Sequence, residues 1–110
     1  MKNIEAVVQL SFGGDMPEEK DKHVTEVFNG TRRRMVKVKL RHNAALTRHK
    51  SMEPITVLCL SGKGAFRAGP NLEDEQQLGA GTLLTLDAEV EHEVVAQPDL
   101  HLLVTKFKSN

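Results

Sequence analysis

Apolar and polar positions alternate along most of this chain, and the clearest case is Thr31 to Leu40. There Val36, Val38 and Leu40 interleave with Lys37, Lys39 and Arg41, a period of two that predicts a strand with one buried face and one wet face. Ahead of it, His23 to Phe28 runs into Asn29-Gly30, the dipeptide that suits the positive φ angles of a type I′ hairpin turn. Ile4 to Phe12 is expected as a first strand, followed by Gly13-Gly14 and a polar loop from Asp15 to Lys22 with room for one helical turn begun by Pro17. Ile55 to Ser61 is apolar at both parities and belongs at the centre of a sheet. Shorter strand signals follow at Ala65–Ala68, Gln76–Leu78, Leu83–Leu86, His92–Gln97 and Leu100–Phe107. Gly62-Lys63-Gly64, Gly69-Pro70-Asn71, Gly79-Ala80-Gly81 and Pro98-Asp99 read as the turns between them. Many short strands with regular Gly and Pro punctuation predict an all-β sandwich or barrel.

The length, 110 residues, fits one domain with a real core and no second unit. Four Phe and no Trp or Tyr leave that core to Val, Leu, Ile and Met, and deny a nucleic-acid surface its stacking platform. Lys plus Arg and Asp plus Glu balance at 15 each, so no global field points to nucleic acid or a membrane. The charges are segregated, however. Thr31 to Lys50 holds eight basic and no acidic residues, and Asn71 to Glu93 holds seven acidic and no basic ones. Mutual neutralisation across strands or subunits is expected, with an anion-binding basic face as the alternative.

A lone cysteine, Cys59, in an apolar strand reads as a buried structural thiol in a reducing compartment. The first apolar positions, broken by Glu5 and Gln9, are too few for a secretory core, and no stretch has transmembrane length. A cytoplasmic protein is expected.

Candidate chemistry rests on two histidines, each where alternation meets a turn. His49 lies in Leu46-Thr47-Arg48-His49-Lys50-Ser51-Met52-Glu53-Pro54, ahead of the strand ending in Leu60-Ser61-Gly62. His92 closes the segment that begins Gly79-Ala80-Gly81 and runs through Asp87-Ala88-Glu89-Val90-Glu91. In this order and separation the two segments resemble the paired motifs of the cupin superfamily over about residues 36–107. Gly62 and Gly81 match that pattern's closing and opening glycines, and His49 and His92 match two of its histidines. The pattern's first histidine falls at Thr47. Its glutamate falls at Pro54, with Glu53 one residue away, and its Pro-x-Gly reads Asp87-Ala88-Glu89. The resemblance implies a single-domain cupin jelly-roll β-barrel over residues 1–110, with N-terminal strands within 4–34, and by family habit a homodimer.

Such a barrel would bring both histidines to one pocket, with Thr47, Val57 and Val94 on its wall. His92 shares parity with Val94 and Ala96 and should point inward, whereas Glu91 and Glu93 should point out. The expected function is small-molecule binding around His49 and His92. A divalent metal (Fe, Mn, Ni or Zn) is possible if Glu53 completes a set of two histidines and one carboxylate. His42 is a further candidate ligand, though an exposed strand-end histidine is the expected role. The alternative is a ligand-sensing or structural cupin without metal. Cupin epimerases pair a histidine with a tyrosine, and the chain has no tyrosine. Arg48 and Lys50, flanking His49, should face outward. No nucleic-acid or membrane partner is expected.

Overall fold

The computed structural model describes residues 2–10 and 20–109. Its elements are all strands: β1 (Lys22–Asn29), β2 (Arg33–Leu40), β3 (Ala45–His49), β4 (Ile55–Ala68), β5 (Asp74–Leu78), β6 (Leu83–Leu86) and β7 (His92–Phe107). They form one antiparallel sheet, ordered β1-β2-β7-β4-β5, with β3 added to β7 and β6 added to β4. Among the described residues no pairing joins the outer strands, so the ladder is not closed into a barrel.

Two strands are far longer than their sequence signals. Gly62-Lys63-Gly64 is not a hairpin turn but the middle of β4, and Pro98-Asp99 is likewise the middle of β7. The two bend together. Between the pairs Gly62↔Leu100 and Gly64↔Ala96, three residues of β7 (Gln97, Pro98, Asp99) lie opposite the single Lys63. Beyond the bend each strand changes partners. The first half of β4 and the second half of β7 pair with β6 and β2, whereas the other halves pair with β5 and β3. Both halves contribute to one core, in which Val57 and Leu102 from one side meet Phe66 and Val94 from the other.

The glycines follow from this bend. Gly62 sits at φ +86°, and a Cβ there would come within 2.2 Å of the Asp99 carbonyl oxygen. A Cβ on Gly64 would lie 2.5 Å from the Val95 carbonyl oxygen. A one-residue bulge just before, between Cys59 and Ser61, also inverts the parity of β4. Ile55, Val57 and Cys59 face the core before it, and Phe66 does so after it.

Other expectations are corrected. Within Ile4–Phe12, residues 4–10 form no strand and Ile4, Val7 and Val8 are exposed. The alternation of Ile4, Ala6, Val8 and Leu10 is present in the sequence, but residues 4–10 pair with no strand among the described residues. Phe12 and the loop from Asp15, Pro17 included, lie outside the described residues up to Glu19. The first hairpin turns two residues later than expected, at Thr31-Arg32. The Gly30 N–H donates to the Arg33 carbonyl at 2.9 Å, and neither Asn29 nor Gly30 has positive φ. The wet face of β2 is partly covered: Lys37 is 6% exposed, because β2 is an interior strand with β1 and β7 beside it and its aliphatic stem can lie along them. Cys59 is buried as expected, and burial raises its thiol pKa, opposed by a backbone hydrogen bond at Ser61.

Gly62 and Gly81 both have positive φ (+86° and +90°), but a Cβ on Gly81 would meet nothing within 4 Å. Both changes to Ala therefore carry the φ penalty of about 1–2 kcal/mol, and only Gly62→Ala adds a backbone clash. Urea unfolding should find Gly62→Ala the more destabilised, by about 1–3 kcal/mol. Equal losses would mean that the bend does not need this glycine.

Candidate functional site

β3 meets the first half of β7 through the pairs Leu46↔Val94 and His49↔His92, with a register irregularity between them. Three steps on β3 against two on β7 allow Leu46 and His49, of opposite parity, to face the same space. Thr47 is exposed and does not line that space, but its carbonyl does serve the site. His92 opens β7 and pairs with Ala68. Its ring stacks on Phe66 at 5.5 Å and 11°, and meets His49 edge-on at 4.2 Å and 62°.

Each imidazole is oriented by its own backbone. His49 Nδ1 lies 2.7 Å from the Thr47 carbonyl and His92 Nδ1 lies 2.9 Å from the Val90 carbonyl, both two residues back. A carbonyl only accepts, so Nδ1 carries the proton and donates, and in the neutral ring Nε2 holds a lone pair. His92 is 5% exposed. Burial lowers its pKa below the usual histidine value, and the charges of His49 and Lys106 push the same way against the Val90 carbonyl. His92 is therefore a neutral imidazole at pH 7.

The space in front of the pair is a pocket of about 210 Å³. Val57 and Val94 line it as expected, together with Val36, Val38, Leu102 and Val104. Its polar wall holds His49, His92, Ser51, Lys50 and Lys106, with no carboxylate. Lys50 lines the pocket instead of facing away, because β3 ends at His49 and strand alternation does not extend to it. Phe66 and Lys106 were not anticipated. Lys106 has the parity of His92, Val94 and Leu102, which becomes visible once residues 92–107 are read as one strand. Val24 also reaches the pocket, and His101, though buried, has the opposite parity on β7.

Glu53 does not join the histidines. It lies off the pocket lining, its N–H donates to the Ser51 hydroxyl at 3.2 Å, and its buried Oε2 has no hydrogen-bond partner among the described residues. His42, exposed, pairs with Asp21 at 2.7 Å. Among the described residues no group of three His, Cys, Asp or Glu side chains could hold a metal ion. Catalytic zinc sites use three protein ligands, and here two imidazoles share their pocket with two ammonium groups. The donor set does not fit a resident divalent metal.

Outside the pocket several arginines are paired. Arg48 binds Glu91 and the Pro70 carbonyl, the one bridge among the described residues between the basic stretch 31–50 and the acidic stretch 71–93. Arg33 and Arg34 pair instead with Glu5 and Glu26, and Arg67 serves Glu75 and Glu93.

No family model and no curated relative matches the sequence. Solved structures do match the fold. A conserved protein of unknown function from Streptococcus pyogenes superposes with TM-score 0.75 at 14% identity, over 98% of this chain and 99% of that one. A cupin superfamily protein from Desulfitobacterium hafniense gives TM-score 0.76 at 12% identity, over 94% and 100%. The fold is similar to that of cupin superfamily structures. An RmlC-like cupin with a double-stranded β-helix fold, from Methanocaldococcus jannaschii, agrees at TM-score 0.73 and 14% identity over 94% and 91%. Likeness at this identity shows the fold alone, so the chemistry of this pocket rests on its own residues. Among the described residues no helix is long and apolar enough to cross a membrane.

Burial of neutral His92 predicts a pH dependence. Because its folded pKa is lowered below 6.5, the unfolded chain takes up more protons between the two values. That contribution to stability is complete above about pH 6.5 and is lost as pH falls toward the folded pKa. Urea midpoints from pH 8 to 5 should show wild type losing stability relative to His92→Phe as pH drops. A constant difference between the two would contradict a buried neutral His92.

Proposed function

We propose that this chain is a non-catalytic, metal-independent small-molecule-binding protein of the cupin type, with its ligand held beside His49 and His92. The observation that carries this reading is the pair itself: two imidazoles 4.2 Å apart, tied to backbone carbonyls, at the wall of a largely apolar pocket. A few placed polar groups in an apolar concavity are what small-molecule recognition uses. At about 210 Å³ the pocket is smaller than the roughly 300–1,000 Å³ that drug-sized ligands fill, so the ligand is small. Support for a jelly-roll arrangement of the pocket walls comes from the bent β4 and β7, which both line it.

A fragment screen by amide NMR at neutral pH, with chelator present, tests the reading. Hits should move the resonances of Val57, Phe66 and Val94, and the same hits should bind at least tenfold more weakly to His49→Ala (about 1.4 kcal/mol). Added Fe, Mn, Ni or Zn should leave the melting temperature unchanged. Stoichiometric metal that survives dialysis and disappears in His92→Ala would contradict the proposal.

The assembly is a homodimer in the cytoplasm. Val24 and Leu83, 55% and 60% exposed, support the first part, and a single unpaired cysteine supports the second. Light scattering at micromolar concentration should give twice the 12.2-kDa chain mass; the chain mass alone would overturn the dimer.

A further inference from the structure

We propose that the ligand is a small hydroxycarboxylate with an apolar body, its carboxylate held by Lys50 and Lys106 and its hydroxyl donating to an imidazole Nε2. This deepens the pocket reading above and rests on it. The first argument is charge. Lys50 and Lys106 both line the pocket, and no Asp or Glu does. Neither lysine is in an ion pair among the described residues, although Arg33, Arg34, Arg48 and Arg67 all are. The chain as a whole is neutral, so the positive field is local to the pocket, where apolar walls strengthen it. A cationic ligand would be repelled by both ammonium groups, whereas a carboxylate pairs with them.

The second argument is the imidazole tautomer. With Nδ1–H of both rings spent on the Thr47 and Val90 carbonyls, Nε2 of a neutral ring is an acceptor. Nε2 of neutral His92 would repel a carboxylate oxygen, but accepts a hydrogen bond from a hydroxyl. The two groups of the ligand are thereby assigned to different parts of the polar wall. The third argument is the remaining lining: valine and leucine side chains from β2, β4 and β7 ask for a hydrocarbon body. The volume, about 210 Å³, limits that body to a few carbons.

The test compares four probes with one branched body by titration calorimetry: 2-hydroxy-4-methylpentanoate, 4-methylpentanoate, 2-hydroxy-4-methylpentanamide and 4-methylpentylamine. The hydroxy acid should bind tightest, about tenfold over its amide and severalfold over the deoxy acid, with the amine weakest. Lys106→Met should erase the preference for acid over amide, and Lys106→Arg should keep it. Lys50→Met, at an exposed position, should reduce the same ratio without threatening the fold. Equal binding of acid and amide, or equal binding with and without the hydroxyl, overturns the ligand class. In both cases the pocket reading stands, because a ligand still binds there. Binding of none of the four, with fragment hits elsewhere on the protein, overturns both.

Discussion

Strands β4 and β7 are registered against each other from Ile55↔Lys106 to Ala68↔His92, and they bend at the same place. Every other strand except β1 pairs with one of them. The bend works because the β7 backbone presses on β4 where β4 has no side chain: the Asp99 and Val95 carbonyls occupy the space that a Cβ on Gly62 or Gly64 would need. Folding the long pair over itself puts Val57 and Leu102 opposite Phe66 and Val94. It also carries His92, at one end of β7, to the same pocket as Lys106, fourteen residues away near the other end.

The site then depends on two irregularities. The bulge between Cys59 and Ser61 turns the inward set of β4 from odd to even residues, which is how Phe66 comes to stack on His92. The irregularity between Leu46 and His49 does the same for β3 and brings His49 in. Both irregularities are local, but each decides which side chains a whole strand half presents. Once inside, the imidazoles are fixed by carbonyls two residues earlier in the chain, so their orientation needs no distant partner.

Strand content, the central place of Ile55–Ser61, the inward His92 and the pairing of His49 with His92 were legible in the sequence, because period-two patterning and the motif spacing report on them directly. The joining of Ala65–Ala68 to Ile55–Ser61, and of His92–Gln97 to Leu100–Phe107, was not. Gly-Lys-Gly and Pro-Asp carry the same local signal in a tight turn and in a bend of a continuous strand. Lys106 was missed for the same reason, since an assumed turn at Pro98-Asp99 cuts the parity that runs on from His92. Lys50 was missed because it follows the end of β3, where alternation no longer sets direction. Glu53, adjacent in sequence to the motif position at Pro54, lies off the pocket in the unpaired segment between β3 and β4.

The arrangement of the two rings is the centre of the account, and their nitrogen resonances test it most directly. In protein labelled with ¹⁵N at histidine, at pH 8, both His49 and His92 should carry the proton on Nδ1, and equimolar Zn²⁺ should leave both patterns unchanged. A proton on Nε2 of either ring, or a Zn²⁺-dependent shift of Nε2 in both, would contradict it.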